Sequence, residues 1–212
     1  MNFWLYLHMN IFNPSRNDRG NTDGIFRMEF PLMQWVVACS YKLFGNHLII
    51  SRGFMFLIGL FSILGIYILL NNLFHNEHIA LIGAWTFNFS PCFYYYTINP
   101  LPDNLALCCV IWGTSLFFSW YNNKRVSNLI FSGLFISVAA LCKLPFIVFY
   151  IIPFIFFVRS VYENGLKKEI SSQFISIFSF AILPIAWYIS VIPDWGGNPI
   201  VKGMFNNTDS IY

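Results

Sequence analysis

The spacing of its charges constrains this chain more than any other feature. No Asp, Glu, Lys or Arg falls between Arg52 and Glu77, between Glu77 and Asp103, or between Asp103 and Lys124. A helix crosses the roughly 30 Å hydrocarbon core of a bilayer with about 20 apolar residues. Lipid offers no hydrogen bonds, so such a segment must satisfy its own backbone, which a helix does. Only 10% of the 212 residues are charged and 57% are hydrophobic, whereas a soluble domain carries about 25% charged residues and needs them to cover its surface. The expected fold class is all-α: a polytopic membrane helix bundle of about six transmembrane helices.

The apolar runs place those six spans at Leu48–Leu73, Ile79–Tyr96, Leu101–Tyr121, Val126–Cys142, Leu144–Val158 and Phe174–Ile192. Gly133 and Ser137 in the fourth are small enough to let helices approach closely, and Pro184 is expected to kink the sixth. Ahead of the spans, Asn10–Gly24 is polar and rich in turn formers and reads as a loop. Phe30–Gly45 follows with apolar residues at helical spacing (Leu32, Val36, Cys39, Leu43) and Gly45 as a natural C-cap. With Trp35, Tyr41 and Lys42 at interfacial positions, it predicts an amphipathic helix along the membrane surface. The chain thus divides into a first loop with an interfacial helix (1–46), the helix bundle (47–192) and the start of a further loop (193–212).

Several function classes are excluded. A net charge of +3 without a basic run interleaved with aromatics gives no nucleic-acid surface. The five cysteines form no C-x-x-C pair and read as small hydrophobes. The four histidines lack the i, i+4 spacing of a helical zinc pair. Met1–Phe12 has no basic n-region or small-residue cleavage site and is too short to span.

Alternating six spans puts Lys124, Arg125, Arg159, Lys167 and Lys168 on one side, in short dense loops that mark it as cytoplasmic. Arg16, Arg19, Arg27, Lys42, Arg52, Lys143 and Lys202 are spread through longer segments on the other side, which also collects Asp18, Asp23, Glu29, Asp103, Asp194 and Asp209. Three of these residues invite a chemical reading. Asp103, in "NPLPDNLAL", opens a span, where it can cap the helix or present a carboxylate to the bundle. Lys143, in "ALCKLPF", can snorkel from a span end or meet a phosphate at headgroup depth. Glu29, in "RMEFPLMQW", is a carboxylate between Met28 and Phe30, and partial desolvation there calls for a cationic or metal partner. Arg27 and Lys42 are near in sequence, and a partner from elsewhere is equally open.

The order of the segments "MNIFNPSRNDRGNTDGIFRMEFPLMQWVVACSYKLFG", "SR", "NPLPDNLAL" and "SGLFISVAALCKLPF" resembles the membrane glycosyltransferases of the GT-C superfamily. The resemblance is to the branch that includes protein O-mannosyltransferases and lipid A aminoarabinose transferases. It covers nearly the whole chain. Glu29 matches an "E-x-P-L"-type segment, Asp103 an acid at a span start, and Lys143 the base of a "T-K-G"-type segment, although Cys142 and Leu144 depart from that pattern. The resemblance implies a sugar moved from a polyprenyl-phosphate donor to a hydroxyl on a glycan, lipid or protein acceptor. The site would lie on the extracytoplasmic face, in the inner (plasma) membrane of a bacterium. It implies that Lys143 contacts the lipid phosphate, that Asp103 positions acceptor or sugar, and that Glu29 binds a divalent metal ion or positions the phosphate. In the family an acid taken as the catalytic base follows a first span. Here no span precedes Met1 and no acid precedes Asp18, so the chain is expected to be truncated at both ends, to lack the base and to be inactive as it stands. Two other readings stay open: a transporter or flippase piece for lipid-linked sugars, with ionisable groups at mid-span or broken helices in repeated halves, and a non-catalytic membrane subunit, with Glu29, Asp103 and Lys143 pointing apart.

Overall fold

The computed structural model describes residues 29–165 and 168–193. The loop expected over Asn10–Gly24 and the tail from Asp194 lie outside the described residues, as do Asp18, Asp23 and Lys167. Among the described residues every regular element is helical: α1 (Leu32–Phe44), α2 (Leu48–Phe74), α3 (Glu77–Asn88), α4 (Pro91–Ile98), α5 (Pro102–Asn123), α6 (Val126–Cys142), a 3-10 segment (Leu144–Tyr150) running into α7 (Ile151–Asn164), α8 (Lys168–Ser179) and α9 (Ile182–Val191). This is a helical membrane bundle, and the chain is an integral membrane protein. Four stretches have the length and composition to cross a bilayer: Leu48–Phe74, Pro102–Asn123, Leu144–Glu163 and Ser172–Val191. Val126–Cys142 is a shorter apolar helix.

The run Ile79–Tyr96, expected as one span, is two helices. Ser90 stops the first and starts the second: its side chain accepts from the Phe93 amide at 3.4 Å, and Pro91 occupies the opening turn of α4. Proline has no N–H to continue the α3 ladder. The pair still returns along α2, with Gly83 against Leu70 near one end and Thr97 and Phe93 against Gly59 further along.

The expected kink in the last span is present and has a specific cause. Pro184 has no N–H for the carbonyl of Phe180, four residues earlier, and the chain turns at Phe180–Ala181 between α8 and α9. The carbonyl that loses its i+4 donor accepts Ser137 Oγ of α6 at 2.8 Å and, less closely, the Leu183 amide at 3.3 Å. Gly133, one turn earlier on α6, lets the helices close: a Cβ there would lie 2.9 Å from Phe180 Cδ2 and 3.0 Å from the Ile177 carbonyl. A hydroxyl re-satisfying a proline-freed carbonyl is how lipid tolerates a broken helix.

Helix α5 is central, buried over most of its length, and packs on α2 to one side and α6 to the other. Polar side chains join it to both neighbours. Trp112 Nε1 donates to the Phe61 carbonyl at 3.0 Å, Asn72 Nδ2 to Ser119 Oγ at 2.7 Å, and Ser132 Oγ to the Gly113 carbonyl at 2.7 Å. Apolar clusters fill the seams: Phe117 and Trp120 with Leu129, Phe174 and Ile177, and Met55, Ile58 and Cys108 under α1.

Helix α1 ends as predicted at Gly45, with φ +89°. Its packed face is Met33, Val37 and Ala38, not the expected Leu32–Val36–Cys39–Leu43 stripe. Leu43 is 76% exposed and Cys39 is exposed. The helix is apolar on more than one side, so periodicity did not select the face; contact with Met55 and Ile58 did. The cysteines also divide: Cys108, Cys109 and Cys142 are buried hydrophobes as expected, whereas Cys39 and Cys92 are exposed.

Candidate active site

The start of α5, the end of α6 and the entry to α1 meet at one end of the bundle, and a proline brings them together. In α6 the Leu141 carbonyl would ordinarily accept from the residue four positions on. That residue is Pro145, which has no N–H. The carbonyl instead accepts the Phe30 amide at 3.1 Å and the Tyr188 hydroxyl at 3.2 Å. Phe30 is further clamped between Trp35 and Trp187, edge-to-face at 5.4 and 5.0 Å. Phe30 therefore docks on the last turn of α6, which puts Glu29 beside Lys143.

Lys143 is the C-cap of α6, its amide bonded to the Ala139 carbonyl at 2.9 Å, and its extended backbone turns the side chain away from the helix axis. Its Nζ lies 2.6 Å from Glu29 Oε1 and 3.4 Å from each Asp103 oxygen. All three side chains are about a quarter to a third exposed. The three residues picked from the sequence thus converge on one ammonium. Asp103 is not the cap of α5: Leu101 holds that position without a side-chain bond, and the Asp103 carboxylate faces Lys143. Glu29 finds its partner in Lys143 rather than in Lys42. Partial burial pulls the Lys143 pKa down, but the hydrogen bond and charge of Glu29, with those of Asp103, outweigh it and leave it raised.

The geometry is asymmetric. Glu29 makes one short charge-assisted bond, whereas Asp103 shares a longer contact between its two oxygens, so Glu29 is the tighter tether. An ammonium has three donors, and this arrangement leaves Lys143 capacity for a further acceptor at its exposed side. A metal site is less well supplied. Among the described residues no three His, Cys, Asp or Glu side chains gather, and both carboxylates here are turned to Lys143. These residues do not by themselves fit a divalent ion at Glu29.

The site depends on residues that local sequence reasoning did not single out: Phe30, Leu141, Pro145, Trp187 and Tyr188. Pro145 was the available signal, since a proline just past a helix leaves a carbonyl open four residues before it. Which group fills the opening is a tertiary matter.

Comparison with known families decides the affiliation. The family model described as dolichyl-phosphate-mannose-protein mannosyltransferase matches residues 29–188. The chain belongs to that family. It is therefore a membrane glycosyltransferase of the GT-C type. The match begins on Glu29 and ends on Tyr188, so in this family member it encloses Asp103, Lys143 and the Leu141 docking point. No curated protein and no solved structure matches the chain.

Proposed function

We propose that this chain carries part of the site at which a sugar passes from a polyprenyl-phosphate donor to an acceptor hydroxyl, on the extracytoplasmic face of the membrane. The observation that carries the reading is Lys143 held between Glu29 and Asp103 at one end of the bundle. In the transfer, the acceptor oxygen bonds to the anomeric carbon. The bond from that carbon to the lipid phosphate oxygen breaks, and its electron pair leaves with the phosphate. Charge grows on the leaving phosphate, and a fixed ammonium at that point stabilises the transition state more than the ground state. Lys143 supplies it. Glu29 orients the ammonium, and Asp103, more loosely held, orients acceptor or sugar. Both carboxylates are engaged by Lys143, so the hydroxyl proton is assigned to water or to a base outside this trio.

The test uses the full-length native enzyme in detergent, with dolichyl phosphate mannose as probe. Release of dolichyl phosphate that falls about 100-fold in Lys143→Met supports the reading. Release unchanged by Lys143→Met rules it out.

A carrier for lipid-linked sugars has one observation in its favour, the interrupted spans at Ser90–Pro91 and Phe180–Ala181. Carriers build their sites at such breaks, at mid-membrane. Here no Asp, Glu, Lys, Arg or His lies between Ile79 and Pro102 or between Ile170 and Pro193, so neither break carries a charged residue or a histidine. Movement of the intact probe across vesicles without its hydrolysis would favour the carrier.

A further inference from the structure

The Asp103 carboxylate sits in a segment pinned to α2 at two points. Before it, Thr97 of α4 rests on Gly59, where a Cβ would come within 2.6 Å of Thr97 Cγ2. After it, the Asn104 side chain, fully buried, donates from Nδ2 to the Met55 carbonyl at 3.2 Å. Between the pins lie Ile98, Asn99, Pro100, Leu101, Pro102 and Asp103 itself. Leu101 N–H closes a tight turn onto the Asn99 carbonyl at 2.8 Å, and two prolines restrict the backbone.

Asn104 is an expensive residue for its place. Its Oδ1 is buried with no hydrogen-bond partner among the described residues. A buried amide with one end unpaired burdens folding, and an apolar side chain of the same shape would avoid that burden. What the amide achieves is the bond to Met55. That bond sets how deep the first turn of α5 sits against α2, and so where the neighbouring carboxylate stands relative to an ammonium on a third helix.

We propose that Asn104 is a positioning residue for the transfer site: its amide, bonded to the Met55 carbonyl, holds Asp103 at the depth where it meets Lys143. The proposal rests on the reading of Asp103 and Lys143 as parts of that site. A displacement of about an ångström is enough to spoil such an arrangement, and the Asp103–Lys143 contact, at 3.4 Å, has little to spare.

The experiment is a double-mutant cycle read by thermal melting of the full chain in detergent, pairing Asp103→Asn with Lys143→Met. It is run in three backgrounds: native, Asn104→Leu, and Leu129→Ala. Leu129 is fully buried in the first turn of α6, packed on Phe117 and Trp120 at the far end of α5 from Asp103, and its truncation is the control for general destabilisation. The expected result is a non-additive shift of about 1–3 °C in the native and Leu129→Ala backgrounds, and additivity in Asn104→Leu. Coupling that persists in Asn104→Leu overturns the positioning role, as does its loss in Leu129→Ala, which would make it a consequence of general destabilisation. Additivity in the native background overturns the Asp103–Lys143 contact itself, and with it the reading of the site.

Discussion

The Leu141 carbonyl accepts the Phe30 amide at 3.1 Å because the residue that would have claimed it within the helix is Pro145. One missing N–H on α6 is thus what lets a segment distant in sequence dock there and deliver Glu29 to Lys143.

Pro145→Ala should undo that delivery. An alanine restores the N–H, the helix can extend by a turn, and Phe30 loses its acceptor. Donor turnover is expected to fall at least 10-fold while the bundle stays folded. Turnover of dolichyl phosphate mannose together with circular dichroism checks both halves of this expectation.

Glu29→Gln should keep the shape of the contact and remove its charge. A hydrogen bond to a charged partner contributes about 1.5–3 kcal/mol, against about 1 for a neutral one, and partial exposure lowers the difference here. The melting temperature should drop by only a few degrees and turnover by about 10-fold, less than for Lys143→Met. An equal loss in the two variants would show that Glu29 does more than orient the ammonium.

Ser137→Ala removes the donor that covers the carbonyl freed by Pro184. Hydrogen bonds between membrane helices average about 0.6 kcal/mol and reach about 1.7. Because the Leu183 amide still reaches this acceptor at 3.3 Å, a loss near the average figure is expected. In a Pro184→Ala background, where the backbone N–H returns, the same substitution should cost less. Unfolding in denaturant checks the difference between the two backgrounds.

Gly133→Val should be worse than Gly133→Ala. Even a methyl meets the Ile177 carbonyl at 3.0 Å, and backbone cannot swing aside as a side chain can. Overpacking of this kind costs about 1–3 kcal/mol. Loss of melting temperature should rise with side-chain volume, and turnover should follow stability, since the site lies toward the other end of α6.

The pH dependence of Lys143 has a definite sign. Its pKa is raised above the ordinary 10.5 in the folded protein. Its contribution to stability is therefore fully present below 10.5 and is lost as pH rises through the folded value. Melting temperatures on the alkaline side should fall in the native chain and fall less in Lys143→Met. A matching decline in that variant would assign the effect to other groups.

The class of fold was readable because hydrocarbon leaves a backbone so few options. Long uncharged runs must be helices. Gly45 as a terminator and Pro184 as a kink were readable for the same reason, since each acts on its own backbone. The break at Ser90–Pro91 is hidden from hydropathy because the run on both sides is equally apolar, although serine before proline is a local stop signal. The face of α1 was not readable. An apolar helix offers several stripes, and only the shape of Met55 and Ile58 selects Met33 and Val37 among them.

The site divides in the same way. Residue chemistry and span-end position single out Glu29, Asp103 and Lys143, because a charge in an apolar chain must have a reason to be there. Their union on one ammonium is a property of three dimensions. It needs α5 pinned on α2 through Asn104, α6 left with an open carbonyl at Leu141, and Phe30 free to fill it. Sequence determines which groups are costly to leave unpaired. Only the packed bundle decides which of them pair, because partners are chosen by proximity, and proximity is made by helices far apart in the chain.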